Sequence, residues 1–146
     1  MNSEISILLI EDDVVDVKIV KRAFKEINIT NPLHVVSNGE EALKFLKHEA
    51  PYTDRMDAPE PGLILLDLNM PIMDGIAFLD AYRSDPELKH IPSIVLTTSD
   101  EERDRRQSYA IGIAGYILKP VGFNEFVDAV RQIDGYWSLC ELPVAG

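Results

Sequence analysis

The chain has a single cysteine, Cys140, in 146 residues. A lone thiol excludes an internal disulfide framework and any zinc site built on several cysteines. No apolar run approaches the roughly 18 residues that span a bilayer. The first residues, Met1-Asn2-Ser3-Glu4, lack the basic start of a secretory signal. These absences point to the cytoplasm, away from any membrane. Basic residues are scarce too: 14 Lys and Arg stand against 25 Asp and Glu, giving a net charge of −11. Such a surface repels a phosphate backbone. The one basic group, Arg103, Arg105 and Arg106, is interleaved with acids. Direct nucleic-acid binding is not expected. The expected partners are proteins, and the favoured inorganic ion is magnesium.

Hydrophobic residues make up 46% of the chain and charged residues 27%, ordinary values for a globular protein. The length suits one domain with one core. The centre of the pattern is Leu63-Ile64-Leu65-Leu66-Asp67-Leu68-Asn69-Met70-Pro71. Four apolar residues bounded by turn signals predict a strand buried on both faces, as in a helix-covered parallel sheet. Asp67 falls at its C-terminal end, the edge where open α/β sheets bind ligands.

Other segments fit the same plan. Residues 5–10 predict a first strand, stopped by Glu11-Asp12-Asp13. Val14, Val17, Val20, Phe24 and Ile27 then recur at helical spacing, and residues 33–36 predict a second strand. Asn38-Gly39 is a turn before a helix over 40–48. Residues 50–62, with three prolines, predict a surface loop. Asp74-Gly75 opens a helix to about Ser84, and residues 91–96 predict a fourth strand running into Thr97. A highly charged, weaker helix follows over 100–110, then a fifth strand over 115–118 ending at Lys119-Pro120. The last helix is expected over 122–134, with Phe123, Phe126, Val127, Val130 and Ile133 inward. Regular alternation of this kind predicts an α/β fold, a (βα)5 doubly wound parallel five-stranded sheet with right-handed crossovers. Residues 1–134 form the domain, and residues 135–146 form a C-terminal extension.

Parallel strands end along one edge. An order of 2-1-3-4-5 brings Glu11, Asp12, Asp67, Thr97 and Lys119 together around the crevice between the first and third strands. Three carboxylates there need a counter-charge, and magnesium, which takes oxygen ligands and keeps waters, is the natural one. Lys119 adds a fixed cation and Thr97 a hydroxyl. This set suits an aspartate that accepts a phosphoryl group. Each residue also has a plainer explanation: the acids at 11–13 can cap the first helix, Thr97 can be structural, and Lys119 can lie on the surface.

The motifs Ile-Glu-Asp-Asp at 10–13, Asp-Leu-Asn-Met-Pro-Ile-Met-Asp-Gly at 67–75, Leu-Thr-Thr at 96–98 and Tyr-Ile-Leu-Lys-Pro at 116–120 resemble the response-regulator receiver domain of two-component signalling. The resemblance covers about residues 5–134. It implies Asp67 as phosphoacceptor, Asp12 as a direct Mg2+ ligand, Glu11 acting through a metal-bound water, and the Asn69 backbone carbonyl as a further ligand. It implies Thr97 as the switch hydroxyl, Tyr116 as the aromatic that follows it, and Lys119 as the lysine of the site, aimed by a cis Lys119–Pro120 bond. Asn69 and Ser99 sit where similar proteins tune hydrolysis of the acyl phosphate. The implied partner is a sensor histidine kinase, with Asp67 taking the phosphoryl group from its phosphohistidine. The protein is then no turnover enzyme, although it carries its own transfer chemistry and slow dephosphorylation. His34, His48 and His90 lie at none of the strand ends, so the chain is not expected to be the phosphohistidine donor.

The tail, Gly135-Tyr136-Trp137-Ser138-Leu139-Cys140-Glu141-Leu142-Pro143, resembles that of single-domain regulators paired with bacterial phytochrome kinases. That resemblance implies a homodimer arm carrying Tyr136, Trp137 and Leu139; the alternative is that these residues fold back on the last helix. The tail leaves no room for a DNA-binding output domain, so output is expected through protein contact or phosphate relay. Gly122 gives the last helix a weak start, Gly112-Ile113-Ala114 alters the exit from the fourth helix, and the loop over 50–61 is long. An FMN-binding flavodoxin-like reading fails because Glu11-Asp12-Asp13 would repel the phosphate. A dehalogenase-type phosphatase needs a second acid where Asn69 stands. A degenerate receiver that acts only as a protein-binding module is the remaining alternative.

Overall fold

In the computed structural model, which describes residues 5–141, strand and helix alternate from Ile7 to Leu139. The elements are β1 (Ile7–Ile10), α1 (Val14–Glu26), β2 (Leu33–Val36), α2 (Gly39–Lys47), β3 (Leu63–Leu66), α3 (Gly75–Arg83), β4 (Ser93–Thr97), α4 (Glu102–Ile111), β5 (Gly115–Leu118) and α5 (Phe123–Leu139). The strands form one parallel sheet in the order β2-β1-β3-β4-β5. Successive strand residues point to opposite faces, and this splits the core in two. Leu8, Ile10, Ile64, Leu66 and Val95 pack with Phe45, Phe78, Leu79 and Tyr82 of α2 and α3. Ile7, Leu9, Leu63, Leu65, Ile94 and Leu96 pack with Val20, Phe24, Phe126, Val127 and Val130 of α1 and α5. Fully burying each such side chain stabilises the fold by about 1.5–3 kcal/mol, so the three central strands hold the site edge rigidly.

Caps set where the helices begin. Asp13 accepts hydrogen bonds from the Val15 and Asp16 amides at 2.8 and 3.4 Å, so it caps α1. Asn38 caps α2 and Asp74 caps α3 in the same way. Gly75 follows because a Cβ there would meet the Asp67 carbonyl oxygen and Leu68 Cα, both at 2.7 Å. The chain leaving β3 is thereby folded tightly against the start of α3. Gly122 starts α5 without a side-chain cap, as its lack of a side chain requires.

Two expectations need correction here. First, α5 does not stop at Asp134 but continues to Leu139. Trp137 is buried against the α1/α5 core rather than free for an arm, while Tyr136 and Leu139 remain exposed. Burial of the indole outweighs the roughly 1 kcal/mol that Gly135 costs a helix interior. The Leu142-Pro143 end of the proposed arm lies outside the described residues. Second, the Lys119–Pro120 bond is trans; the cis bond of the described residues is Ala50–Pro51. The lysine is aimed by the sheet itself, because its amide donates to the Thr97 carbonyl at 2.8 Å. The loop after α2 lies on the surface as expected, and two contacts anchor it. Ala58 is buried and accepts from the His48 ring at 2.9 Å, and the Tyr52 hydroxyl donates to Glu41 at 2.8 Å. No helix among the described residues is long and apolar enough to cross a membrane.

Candidate functional site

The ladder runs one residue past each central strand. The Asp67 amide donates to the Ile10 carbonyl at 3.2 Å and the Glu11 amide to the Val36 carbonyl at 3.0 Å. Side chains that follow the strands are therefore fixed as firmly as the strands. Asp67 is 7% exposed, Glu11 4% and Thr97 0%. Buried polar groups of this kind must be satisfied within the protein, and here they satisfy one another. Asp67 Oδ1 accepts from Thr97 Oγ1 at 2.7 Å and from the Asn69 amide at 3.1 Å. Asp67 Oδ2 accepts from Lys119 Nζ at 3.2 Å. The same ammonium donates to Glu11 Oε2 at 2.9 Å and to Asp16 Oδ2 at 3.1 Å. Glu11 Oε1 accepts from the Asp13 amide at 3.1 Å.

Burial pushes the Glu11 carboxyl above its ordinary value, against the hydrogen bond and charge of Lys119. Burial alone would lower the Lys119 ammonium. The bond to Glu11, the charges of Asp67 and Glu11 and the bond to Asp16 outweigh it and hold the lysine above its ordinary 10.5. Lys119 is thus a permanent cation at neutral pH, which is what a developing phosphoryl charge requires.

Asp67, Thr97, Lys119 and Glu11 therefore meet as the sequence predicts. Asp12 does not join them. It is exposed, whereas the acids whose oxygens lie within 4.8 Å of one another are Glu11, Asp16 and Asp67. Neighbours in extended backbone point apart, so Glu11 takes the inward direction and Asp12 the outward one. Asp16 was missed from the sequence. The available signal was helical spacing, since residue 16 lies one turn before buried Val20 and so at the edge of the inward face of α1. The three clustered acids supply only oxygen ligands and carry more negative charge than one lysine neutralises. That donor set fits a hard divalent cation such as Mg2+ or Mn2+.

The hydroxyl of Thr97 leads outward. Its Oγ1 accepts from the Ser99 amide at 3.3 Å, and the Ser99 carbonyl accepts from the Tyr116 hydroxyl at 2.9 Å. Ser99 Oγ donates to Asp104 of α4 at 2.6 Å. Arg105 of α4 lies over the Tyr116 ring at 5.9 Å. A continuous hydrogen-bonded path joins Asp67 to the α4/β5 face.

A doubly wound sheet with an anionic, lysine-bearing site at its switch-point edge defines a flavodoxin-like α/β domain. Comparison with known proteins narrows this further. The response regulator receiver domain family matches residues 7–131, and the chain belongs to it. Response regulator Rcp1 of Synechocystis is 36% identical over 140 residues, which covers 95% of this chain and 93% of that protein. The crystal structure of the phosphorylated cyanobacterial phytochrome response regulator RcpA superposes with a TM-score of 0.88 at 35% identity, covering 96% of this chain and 99% of that one. The Mn2+-bound form of Rcp1 superposes at 0.86 and 35% identity, with coverage of 96% and 99%. Receiver domains are signalling modules that work with sensor histidine kinases, not turnover enzymes.

Proposed function

We propose that Asp67 accepts a phosphoryl group from a phosphohistidine of a sensor histidine kinase. The observation that carries this reading is the division of labour at Asp67, with Thr97 on one carboxylate oxygen and Lys119 on the other. A carboxylate oxygen of Asp67 attacks phosphorus, the phosphorus–nitrogen bond to the kinase breaks, and its electron pair leaves on the imidazole. Catalysis of such a transfer is positioning and charge stabilisation. Lys119 and Thr97 then hold phosphoryl oxygens, and water later breaks the acyl phosphate to free Asp67.

Mg2+ would be held by Asp67 and the Asn69 carbonyl, with Glu11 acting through a metal-bound water, and would neutralise charge on the transferring group. Asp12, also implied as a ligand, joins only by turning inward from its exposed position.

Two finer readings go with this one. The kinase partner is a bacterial phytochrome, supported by the phytochrome regulator among the similar structures. The protein is a homodimer whose contact includes the exposed Tyr136 and Leu139. The cytoplasm is its setting, with the single cysteine in support.

The test is intact mass after incubation with a small acyl-phosphate donor, with and without Mg2+, beside Asp67→Asn. A Mg2+-dependent gain of one phosphoryl group that the variant lacks is expected. No gain from either the small donor or candidate kinases would leave a receiver that only binds proteins.

A further inference from the structure

We propose that Asp16 is a positioning residue for this phosphoryl transfer, acting through Lys119. The inference rests on the reading of Asp67 as phosphoacceptor. An ammonium has three N–H donors, and Lys119 places one on each of Glu11, Asp16 and Asp67 at 2.9, 3.1 and 3.2 Å. The three acceptors come from separate elements: the end of β1, the first turn of α1 and the end of β3. Two distances leave a point free to swing along an arc; three fix it. Lysine needs such fixing, because its charge rides on a flexible four-carbon stem.

An acid in the first turn of a helix favours the helix dipole wherever its side chain points. That accounts for an acid at position 16 but not for its carboxylate lying on Lys119. Asp16 is also the most exposed of the three acceptors, with its side chain 33% exposed against 3% for Glu11 and 9% for Asp67. It gives up hydration to hold a cation that two buried acids already neutralise. The longest of the three contacts is the one to Asp67. With one N–H committed to Asp16, the ammonium gives Asp67 a single bond at 3.2 Å and stays within reach of an arriving phosphoryl oxygen. Without Asp16, the lysine settles onto Glu11 and Asp67 and both shields the nucleophile and leaves the position the phosphoryl group needs.

The test measures phosphorylation by a small acyl-phosphate donor at saturating Mg2+ for the wild type, Asp16→Ala, Asp16→Asn and Asp67→Asn. Nitrogen-detected NMR of the Lys119 ammonium and thermal unfolding of each variant run beside it. In Asp16→Ala the maximal rate falls about tenfold, the loss of one charge-assisted hydrogen bond at the transition state. The half-saturating donor concentration stays within about twofold, because positioning acts on the transition state rather than on donor binding. The ammonium signal, protected in the wild type, exchanges rapidly in Asp16→Ala. Asp16→Asn, which keeps one acceptor oxygen, lies between on both readouts. A wild-type rate in Asp16→Ala overturns the proposal, and so does a rate loss with the ammonium signal unchanged. If the wild type is phosphorylated neither by the small donor nor by candidate kinases, or if Asp67→Asn is labelled as fully as the wild type, the phosphoacceptor reading fails instead. The ammonium signal still decides whether Asp16 fixes Lys119.

Discussion

Replacing Lys119 by Met keeps the stem and removes the charge, leaving Glu11 and Asp67 buried side by side with no cation. Removing one partner of a buried ion pair costs about 3–5 kcal/mol, a large part of the roughly 5–15 kcal/mol that holds a domain folded. The cost here has a ceiling, because a buried acid that cannot stay charged takes a proton. Burial already raises Glu11, and only Lys119 opposes it strongly. Neutralising Glu11 at pH 7 against its ordinary 4.5 costs about 3.4 kcal/mol at 1.36 kcal/mol per pH unit. The folded state then holds a proton that the unfolded chain releases above pH 4.5, so stability falls as pH rises from there. Urea unfolding of Lys119→Met against the wild type is expected to show a loss of about 3 kcal/mol at pH 7, shrinking to about 1 kcal/mol at pH 5. Added Mg2+ should recover part of the loss at pH 7. A loss that is equal at both pH values and indifferent to Mg2+ would mean that Lys119 contributes only the packing of its stem, and the electrostatic account of the site would be wrong.

Thr97→Ala removes the 2.7 Å bond to Asp67. Phosphorylation of Asp67 should persist while chemical-shift changes at Tyr116 and along α4 disappear; shift changes as large as those of the wild type would break the proposed path through Ser99. At the end of α5, neighbouring residues should part company. Trp137→Ala opens a core cavity and costs about 3–5 kcal/mol in chemical unfolding, whereas Leu139→Glu leaves stability intact and turns a dimer into a monomer in sedimentation. A monomeric wild type rejects the dimer contact.

Sequence and structure agree most closely where side-chain type and backbone period coincide. Each strand is an apolar run, each run ends in a residue with chemistry, and only one strand order lets those ends meet. Residues fixed by backbone pairing, such as Asp67 beside Ile10 and Lys119 beside Thr97, were therefore legible. Residues whose place depends on side-chain direction were not. Glu11 and Asp12 are adjacent acids, and nothing in their order says which turns inward. Asp16 was hidden behind them, because its role needs the packing of α1 beside the end of β5. The last helix was expected to end at Asp134, but the burial of Trp137, a tertiary gain, carries it through Gly135 to Leu139. The trans bond at Pro120 shows the same limit: the lysine reaches the site through the ladder, and the resemblance had assigned that work to the proline.

The composition of α4 sets how cheaply the far end of the hydrogen-bonded path can move. Ser108 is the one residue of this helix that is buried, and the side chain of its N-cap, Glu101, makes no capping hydrogen bond. What ties its surface together is a set of exposed ion pairs, including Arg105 with Asp100 and Glu102, and Arg106 with Glu102. Pairs of that kind contribute little and re-form readily in new positions. Displacing α4 therefore uncovers little apolar surface beyond the partly buried Ile111, in contrast to α2, α3 or α5, whose inward faces carry several buried apolar side chains. Elements with few buried apolar contacts open at low free energy. A two-state element with a small gap answers to a small bias, so a single rearranged hydrogen bond at Thr97 is on the right energetic scale to shift which surface this helix presents.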